Sequence, residues 1–515
     1  MTPSIAGETT LPDWLHWRAS VMPEQTAIRC DGQAWSYAEL DVAVDRTARR
    51  LATLGVGAGT RVATLMHNGP RVPLNVHAMS RLGATLVPLN VRLSPEEIAW
   101  QLGDSDARLL IVDEATAPLA LAARERFAAF DLVSADRPVE DIAALDTIAQ
   151  AEIALRESVE LSAVHSIVYT SGTTGRPKGA MLTYGNHWWS ALGSALNLGT
   201  QPDDRWLACM PLFHVGGMAI LLRSVIYGIT AIIQPGFDPA AVNRAIDEEG
   251  VTIVSVVATM LQRMLAERGE RPYPPTFRCA LLGGGPAPRP LLEECARRGL
   301  PVVQTYGLTE TGSQVATLAP RDALAKLGSA GKPLYPNALR ILDADGHDAV
   351  PGAAGEIAVR GPVVTAGYVD RLEETERAIR DGWLHTGDLG YLDDDGYLYV
   401  LDRRTDLIVS GGENVYPAEV EAVLLAHPAV DEACVVGIAD NDWGQRVVAS
   451  VHLENGEVPD VTELVSFCRA RLAGYKVPRD IRFVDELPRN AAGKLLRRVL
   501  RDDWTDGDVG TEREL

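Results

Sequence analysis

Ser166-Ile167-Val168-Tyr169-Thr170 runs without a break into Ser171-Gly172-Thr173-Thr174-Gly175-Arg176-Pro177-Lys178-Gly179. The first five residues read as a short β-branched strand. The rest reads as a turn built to hold an anion. Gly172 and Gly175 let backbone N–H groups approach closely, the hydroxyls of Ser171, Thr173 and Thr174 add donors, and Lys178 supplies a mobile positive charge. This is not the P-loop of common nucleotidases, where Ser or Thr follows the lysine and a helix starts there. Here Gly179 follows, and Pro177 disfavours helix at Arg176. A plain surface turn is the competing reading. The hydroxyls and the lysine, placed directly after a buried strand, favour phosphate.

Outward from this loop, short β-type runs alternate with amphipathic helical segments, which is the pattern of an α/β protein. Strands are expected at residues 61–66, 107–112, 166–170, 253–257 and 279–282. Helices are expected at 37–54, 95–101, 186–196, 239–248 and 290–298. The longest apolar stretches, 216–233 with Arg223 inside it and 251–261 ended by Gln262 and Arg263, read as buried elements and not as membrane spans. After Gly390 a hairpin with an Asp-Gly turn and a charged break at 402–406 precede a compact α+β pattern. That pattern is a helix at 417–426, strands at 432–438 and 447–453, a helix at 461–472 and a final basic helix. The expected domains are therefore 1–401 and 402–515, and the acidic tail after Arg501 reads as frayed.

The 515 residues carry a formal net charge of -21, with 46% apolar and 23% charged residues. Such a surface argues against nucleic-acid or anionic-membrane binding, yet leaves anionic small molecules open, since these need only a few placed cations. Residues 1–14 show no basic segment followed by an apolar core, so no secretory signal is expected. The six cysteines lack any Cys-x-x-Cys pair. That pattern suggests reduced, buried thiols in a cytoplasmic protein and no obvious zinc site.

Four further segments follow in order: Tyr306-Gly307-Leu308-Thr309-Glu310, Trp383-Leu384-His385-Thr386-Gly387-Asp388, Asp402-Arg403-Arg404-Thr405-Asp406 and Asn490-Ala491-Ala492-Gly493-Lys494. With the loop at 170–179, they resemble the motif series of the adenylate-forming superfamily of acyl-CoA synthetases, stand-alone adenylation domains and luciferases. The resemblance covers nearly the whole chain. It implies a large N-terminal domain of layered α/β sheets with a small β-barrel-like subdomain, and a small mobile α+β domain that rotates about a hinge near Thr405. It also implies ATP, magnesium and coenzyme A as reactants.

Carried over residue by residue, Thr170, Ser171, Gly172, Thr173, Thr174, Gly175 and Lys178 hold the outer phosphates. Tyr306 and Gly307 face adenine, and Thr309 donates to the α-phosphate. Glu310 is a hard oxygen ligand for Mg²⁺. Asp388 accepts from ribose hydroxyls, and Arg403 adds donors to the same sugar. Lys494 stabilises the charge that develops as a carboxylate attacks the α-phosphate, so it is the expected catalyst of the first half-reaction. Gly411 and Gly412 border a path for the thiol arm, although a plain glycine turn fits the spacing equally.

In Pro211-Leu212-Phe213-His214-Val215-Gly216-Gly217, His214 takes a gating or orienting role, although a lone histidine there would ordinarily be packed core. Gly284, Gly285 and Pro286 lie on a glycine-rich strand end that leaves room for a flat acid. Segments 185–187, 194–199, 281–288 and 327–333 are most similar to the branch of o-succinylbenzoate–CoA ligases of menaquinone synthesis. One departure is Gly216, where that branch often has serine. A CoA ligase for a medium-chain fatty or other aromatic acid stays open, as does a carrier-loading module that never uses CoA. The nearness of Lys494 to the end of the chain argues against the last. Trp188, Trp189 and Ser329 are the residues offered for the distal end of the acid. The expected partners are small molecules, and homo-oligomerisation is left open.

Overall fold

The computed structural model describes residues 9–170, 177–284, 289–402, 407–453, 459–488 and 497–507. The chain divides into two compact units. One comprises residues 1–91, 101–168 and 179–402, and the other 92–100, 169–178 and 403–515.

Two largely parallel sheets carry the first unit. A six-stranded sheet runs in the order Lys178–Thr183, Val164–Thr170, Thr85–Pro88, Arg61–Leu65, Leu109–Val112 and Asp131–Ser134. A nine-stranded sheet has parallel inner strands Val302–Tyr306, Cys279–Leu282, Ile253–Val256, Arg205–Ala208 and Thr230–Ile233. Strands such as Leu109–Val112 and Cys279–Leu282 are buried at every residue, as parallel strands covered on both faces must be. The two long apolar runs resolve accordingly. Residues 216–233 become the helix Val215–Tyr227 and the strand Thr230–Ile233, separated by Gly228 at φ 76°.

Helix starts are set by caps. Ser36 and Glu39 form a reciprocal capping box for Tyr37–Thr53. Thr183 and Asn186 do the same for Tyr184–Leu198, so this helix begins two residues before the expected Asn186. The barrel-like subdomain is an antiparallel sheet of Ala338–Leu342, Gly355–Arg360, Trp383–Leu392, Ile379–Arg380 and Leu398–Asp402.

Three histidines lie inside the first unit. His77, His165 and His187 are all buried. The His165 and His187 rings meet edge to face at 4.9 Å, and His187 Nε2 lies 3.1 Å from Ser166 Oγ. Burial lowers His77 to about 4 and His165 to about 3, and holds His187 well below its ordinary 6.5. Asp13 and Asp41 partly oppose this at His77, whereas Arg81 there and Arg223 at His187 reinforce it. The unfolded chain therefore binds protons that the folded chain refuses. Stability is full above pH 6.5 and falls as the pH drops from there toward about 4, by up to about 1.4 kcal/mol per pH unit for each histidine. Urea midpoints at about pH 7.5 and about pH 5 test this. Equal midpoints would show that the three rings are not neutral in the folded state.

The second unit contains a sheet of Glu413–Val415, Ile408–Ser410, Gly444–Leu453 and Val430–Asp440, with Asp480–Phe483 parallel to Gly444–Leu453. Helices Pro417–Leu425 and Val461–Arg469 follow the expected order. Residues 502–507 depart from expectation, and 508–515 lie outside the described residues. Helix Arg497–Gly507 continues past Arg501 because Trp504 is buried against Val436, Ile438 and Val448, with its Nε1 donating to Ser450 Oγ at 3.1 Å. Burial of an indole outweighs the polar, acidic character of its neighbours.

Candidate active site

Three segments of the first unit end at one edge of the nine-stranded sheet. His214 follows strand Arg205–Ala208, Gly284 follows Cys279–Leu282, and Gly307 follows Val302–Tyr306. These strands are parallel neighbours within a run that also includes Ile253–Val256. All three residues therefore lie beyond the carboxyl ends of parallel strands, where open α/β sheets bind ligands.

The tightest piece is the turn after Tyr306. Leu308 leads into a 3₁₀ turn at Thr309–Thr311, closed by Gly312 at φ 57°. Thr311 is fully buried and its hydroxyl returns to the backbone of Leu308, accepting from N and donating to O at 3.0 Å each. This leaves Thr309 and Glu310, both half-buried, at the crest. A Cβ on Gly307 would stand 1.5 Å from the Ser313 carbonyl oxygen, so only glycine permits this turn. Glu310 is fastened twice: its carbonyl accepts from Thr365 N at 2.7 Å and its Oε1 from the Tyr368 hydroxyl at 3.0 Å.

Tyr306 sits in the core and is only 6% exposed; its hydroxyl donates to Asp388 Oδ2 at 2.7 Å. It thus ties the turn to strand Trp383–Leu392. Asp388 is itself set by its neighbours. Its N–H donates to Thr386 Oγ1, and Thr386 Oγ1 donates to the Ile357 carbonyl. Glu356 accepts from Gly387 N at 3.0 Å and lies 3.0 Å from His385 Nδ1. A carboxylate held this way is preorganised to accept hydrogen bonds.

His214 is the N-cap residue of helix Val215–Tyr227, its ring 4.6 Å from that of Phe213. Asn68 pins the approach: its Oδ1 accepts from Leu212 N and its Nδ2 donates to the Met210 carbonyl. Gly217 is required, since a Cβ there would meet the Pro211 oxygen at 2.2 Å. Gly216 is not: only Met210 Cε lies near, at 3.9 Å, so serine or glycine fits. Gly284 adopts φ 81°, and a Cβ on it would press Val257 Cγ1 at 2.9 Å.

In the second unit, Thr170 Oγ1 lies 3.5 Å from the Lys178 carbonyl, across the two strand ends that flank the loop. Gly411 and Gly412, at φ 58° and 84°, make the two-residue turn between Ile408–Ser410 and Glu413–Val415. That turn requires left-handed backbone at both positions, which accounts for both glycines.

The AMP-binding enzyme family matches residues 15–369, and its C-terminal domain matches 419–494. The chain belongs to this family. Among its relatives is a 2-succinylbenzoate–CoA ligase from Geobacillus kaustophilus, 56% identical over 493 residues, 96% of this chain and 98% of the relative. Another, from Bacillus anthracis, is 49% identical over 96% of this chain and 98% of its own length. A double mutant of o-succinylbenzoate CoA synthetase from Bacillus subtilis, bound with its product analogue, superposes with TM-score 0.90 at 45% identity, covering 96% of this chain and 99% of that one. An amide bond synthetase from Marinactinospora thermotolerans reaches TM-score 0.87 at 28% identity, covering 96% of this chain and 100% of its own.

Of the residues expected for an AMP-binding enzyme, Tyr306, Gly307, Thr309 and Glu310 follow one another into the turn, and the Tyr306 hydroxyl bonds Asp388. Ser171, Gly172, Thr173, Thr174, Gly175, Gly285, Pro286, Arg403, Thr405 and Lys494 lie outside the described residues. The residues offered for the distal end of the acid are otherwise engaged. Trp188 stacks on Trp14 at 6.1 Å, and Trp189 packs against the core around Tyr306. Ser329 is fully buried, donating to the Leu398 carbonyl and accepting from Gly331 N. Sequence reasoning missed Thr365, Tyr368 and Glu356. Each is far along the chain from the motif residue it holds, and a tyrosine after glycine reads locally as a packed ring.

Proposed function

We propose that this protein joins 2-succinylbenzoate to coenzyme A at the expense of ATP, forming an acyl-adenylate and pyrophosphate, then an acyl-CoA thioester and AMP. The observation that carries the reaction class is the Tyr306–Asp388 bond at 2.7 Å, which joins the Thr309–Glu310 turn to an ordered carboxylate suited to a ribose. The names of the full-length relatives carry the acid.

Thr309 and Glu310 offer a hydroxyl and a carboxylate on one turn, an all-oxygen donor pair that fits magnesium. Bound with ATP, the ion would neutralise phosphate charge. Glu310 would hold it, Thr309 would orient the α-phosphate, and His214 would orient the entering acid. Lys178 and Lys494 are the cations we assign to the outer phosphates and to the developing charge.

The acid retains a second carboxylate after activation and so calls for a cation in a strongly acidic protein. Arg223 suits that need. It is 3% exposed on helix Val215–Tyr227, and among the described residues it has no carboxylate partner. It donates to Ser190 Oγ at 2.9 Å, and Ser190 donates to the Gly312 carbonyl of the catalytic turn at 2.7 Å. A buried guanidinium without a counter-ion is costly to keep unless an anion arrives. The six cysteines are free and buried, in keeping with a reducing cytoplasm.

CoA consumption with Mg-ATP should be measured for 2-succinylbenzoate, benzoate and saturated fatty acids of graded length. The expected result is a kcat/KM highest for 2-succinylbenzoate by at least about 100-fold, as befits a site with a partner for the second carboxylate. Preference for benzoate or a fatty acid would overturn the substrate. Adenylation without CoA transfer would favour a carrier-loading role.

A further inference from the structure

The segment Thr365-Ala366-Gly367-Tyr368-Val369 touches two expected pieces of the site at once. On one side it pairs antiparallel with strand Lys178–Thr183, which leaves the phosphate loop. Met181 N donates to the Gly367 carbonyl at 2.9 Å, Ala366 N to Met181 O at 3.0 Å, and Val369 N to Gly179 O at 2.9 Å. The Thr365 hydroxyl donates to Met181 O at 2.7 Å. On the other side the same five residues grip Glu310, by Thr365 N at its carbonyl and by the Tyr368 hydroxyl at its carboxylate. The segment is itself braced, because Tyr368 N donates to Thr375 Oγ1 at 3.0 Å.

We propose that Tyr368 is a positioning residue for Glu310, its hydroxyl orienting the carboxylate toward the magnesium ion that accompanies ATP. The inference rests on the ligase reading above. The chemistry of the donor matters. A lysine or arginine at this place would hold the carboxylate as firmly but would cancel its charge and compete with the metal. A phenol holds one oxygen and leaves the charge for the ion, the usual task of a group that orients a metal ligand from behind. Because the grip comes from the segment paired to the strand leaving the phosphate loop, Glu310 and that strand keep a common register.

The test is Tyr368→Phe, which removes only the hydroxyl. Mn²⁺ affinity in the presence of ATP, read from the electron-spin signal of free Mn²⁺, should weaken about 10- to 100-fold. The Mg²⁺ concentration for half-maximal pyrophosphate release should rise by a similar factor. Thioester formation from preformed 2-succinylbenzoyl-adenylate and the urea midpoint should stay unchanged. In a Glu310→Gln background the same substitution should add nothing further. Unaltered Mn²⁺ affinity, equal loss of both half-reactions, or full additivity with Glu310→Gln would overturn the proposal. An inactive wild type that still shows the Mn²⁺ shift would instead refute the ligase reading and keep the positioning role.

Discussion

Replacing Lys494 by alanine is expected to lower acyl-adenylate formation by at least about 100-fold, the scale found when one preorganised charge-stabilising group is removed. The reason lies in the reaction. A carboxylate approaching the α-phosphate meets a group already rich in negative charge, and the barrier is chiefly that repulsion and the charge that builds as pyrophosphate departs. A positioned ammonium acts where the charge develops, so its removal should appear in kcat more than in the KM for the acid. Attack of the CoA thiol on the finished acyl-adenylate makes no such demand, and that step should retain its rate. Pyrophosphate release measures the first half, and thioester formation from synthetic acyl-adenylate measures the second. An equal fall in both would remove Lys494 from this role.

Gly307→Ala should be nearly as damaging, for a different reason. The added methyl would stand 1.5 Å from Ser313 O, 2.6 Å from Ser313 C and 3.0 Å from Gln314 Cα, all of them backbone atoms that cannot rotate away. Ser313 already holds φ 97°, and the turn is closed by Val315 N donating to Tyr306 O at 2.8 Å. The turn must open, and Thr309 and Glu310 ride on it. A displacement of about 1 Å at a positioning group can cost about 100-fold in rate, so adenylation should fall by at least that factor. The thermal midpoint should drop by only a few degrees, because the strain is local and the protein large. The readouts are kcat/KM for ATP and a melting curve. Near-normal activity would show that Gly307 is not what shapes the turn.

Much of this architecture was legible in the residues. The strand before Ser171 and the alternation around it marked the α/β fold, since apolar periodicity and turn chemistry are local properties. The order of Tyr306–Glu310, His385–Asp388 and the downstream lysine motif marked the chemistry. Gly411 and Gly412 were legible in a plainer sense, as a turn. The fraying expected after Arg501 does not hold as far as Gly507, because Trp504 finds Ser450 and Val436 far back along the chain.

The loop read at the outset, together with the motifs that follow it, therefore determined the class of fold and the kind of chemistry. Each of those signals is carried by a few adjacent residues. Only the tertiary structure decided how the site is held. It made Tyr306 a buried strut for Asp388, paired Tyr368 with Glu310, and set Arg223 on Ser190, buried with no carboxylate partner among the described residues. These contacts join residues from 33 to 82 positions apart. Sheet topology alone brings such partners together, so no local pattern could announce them.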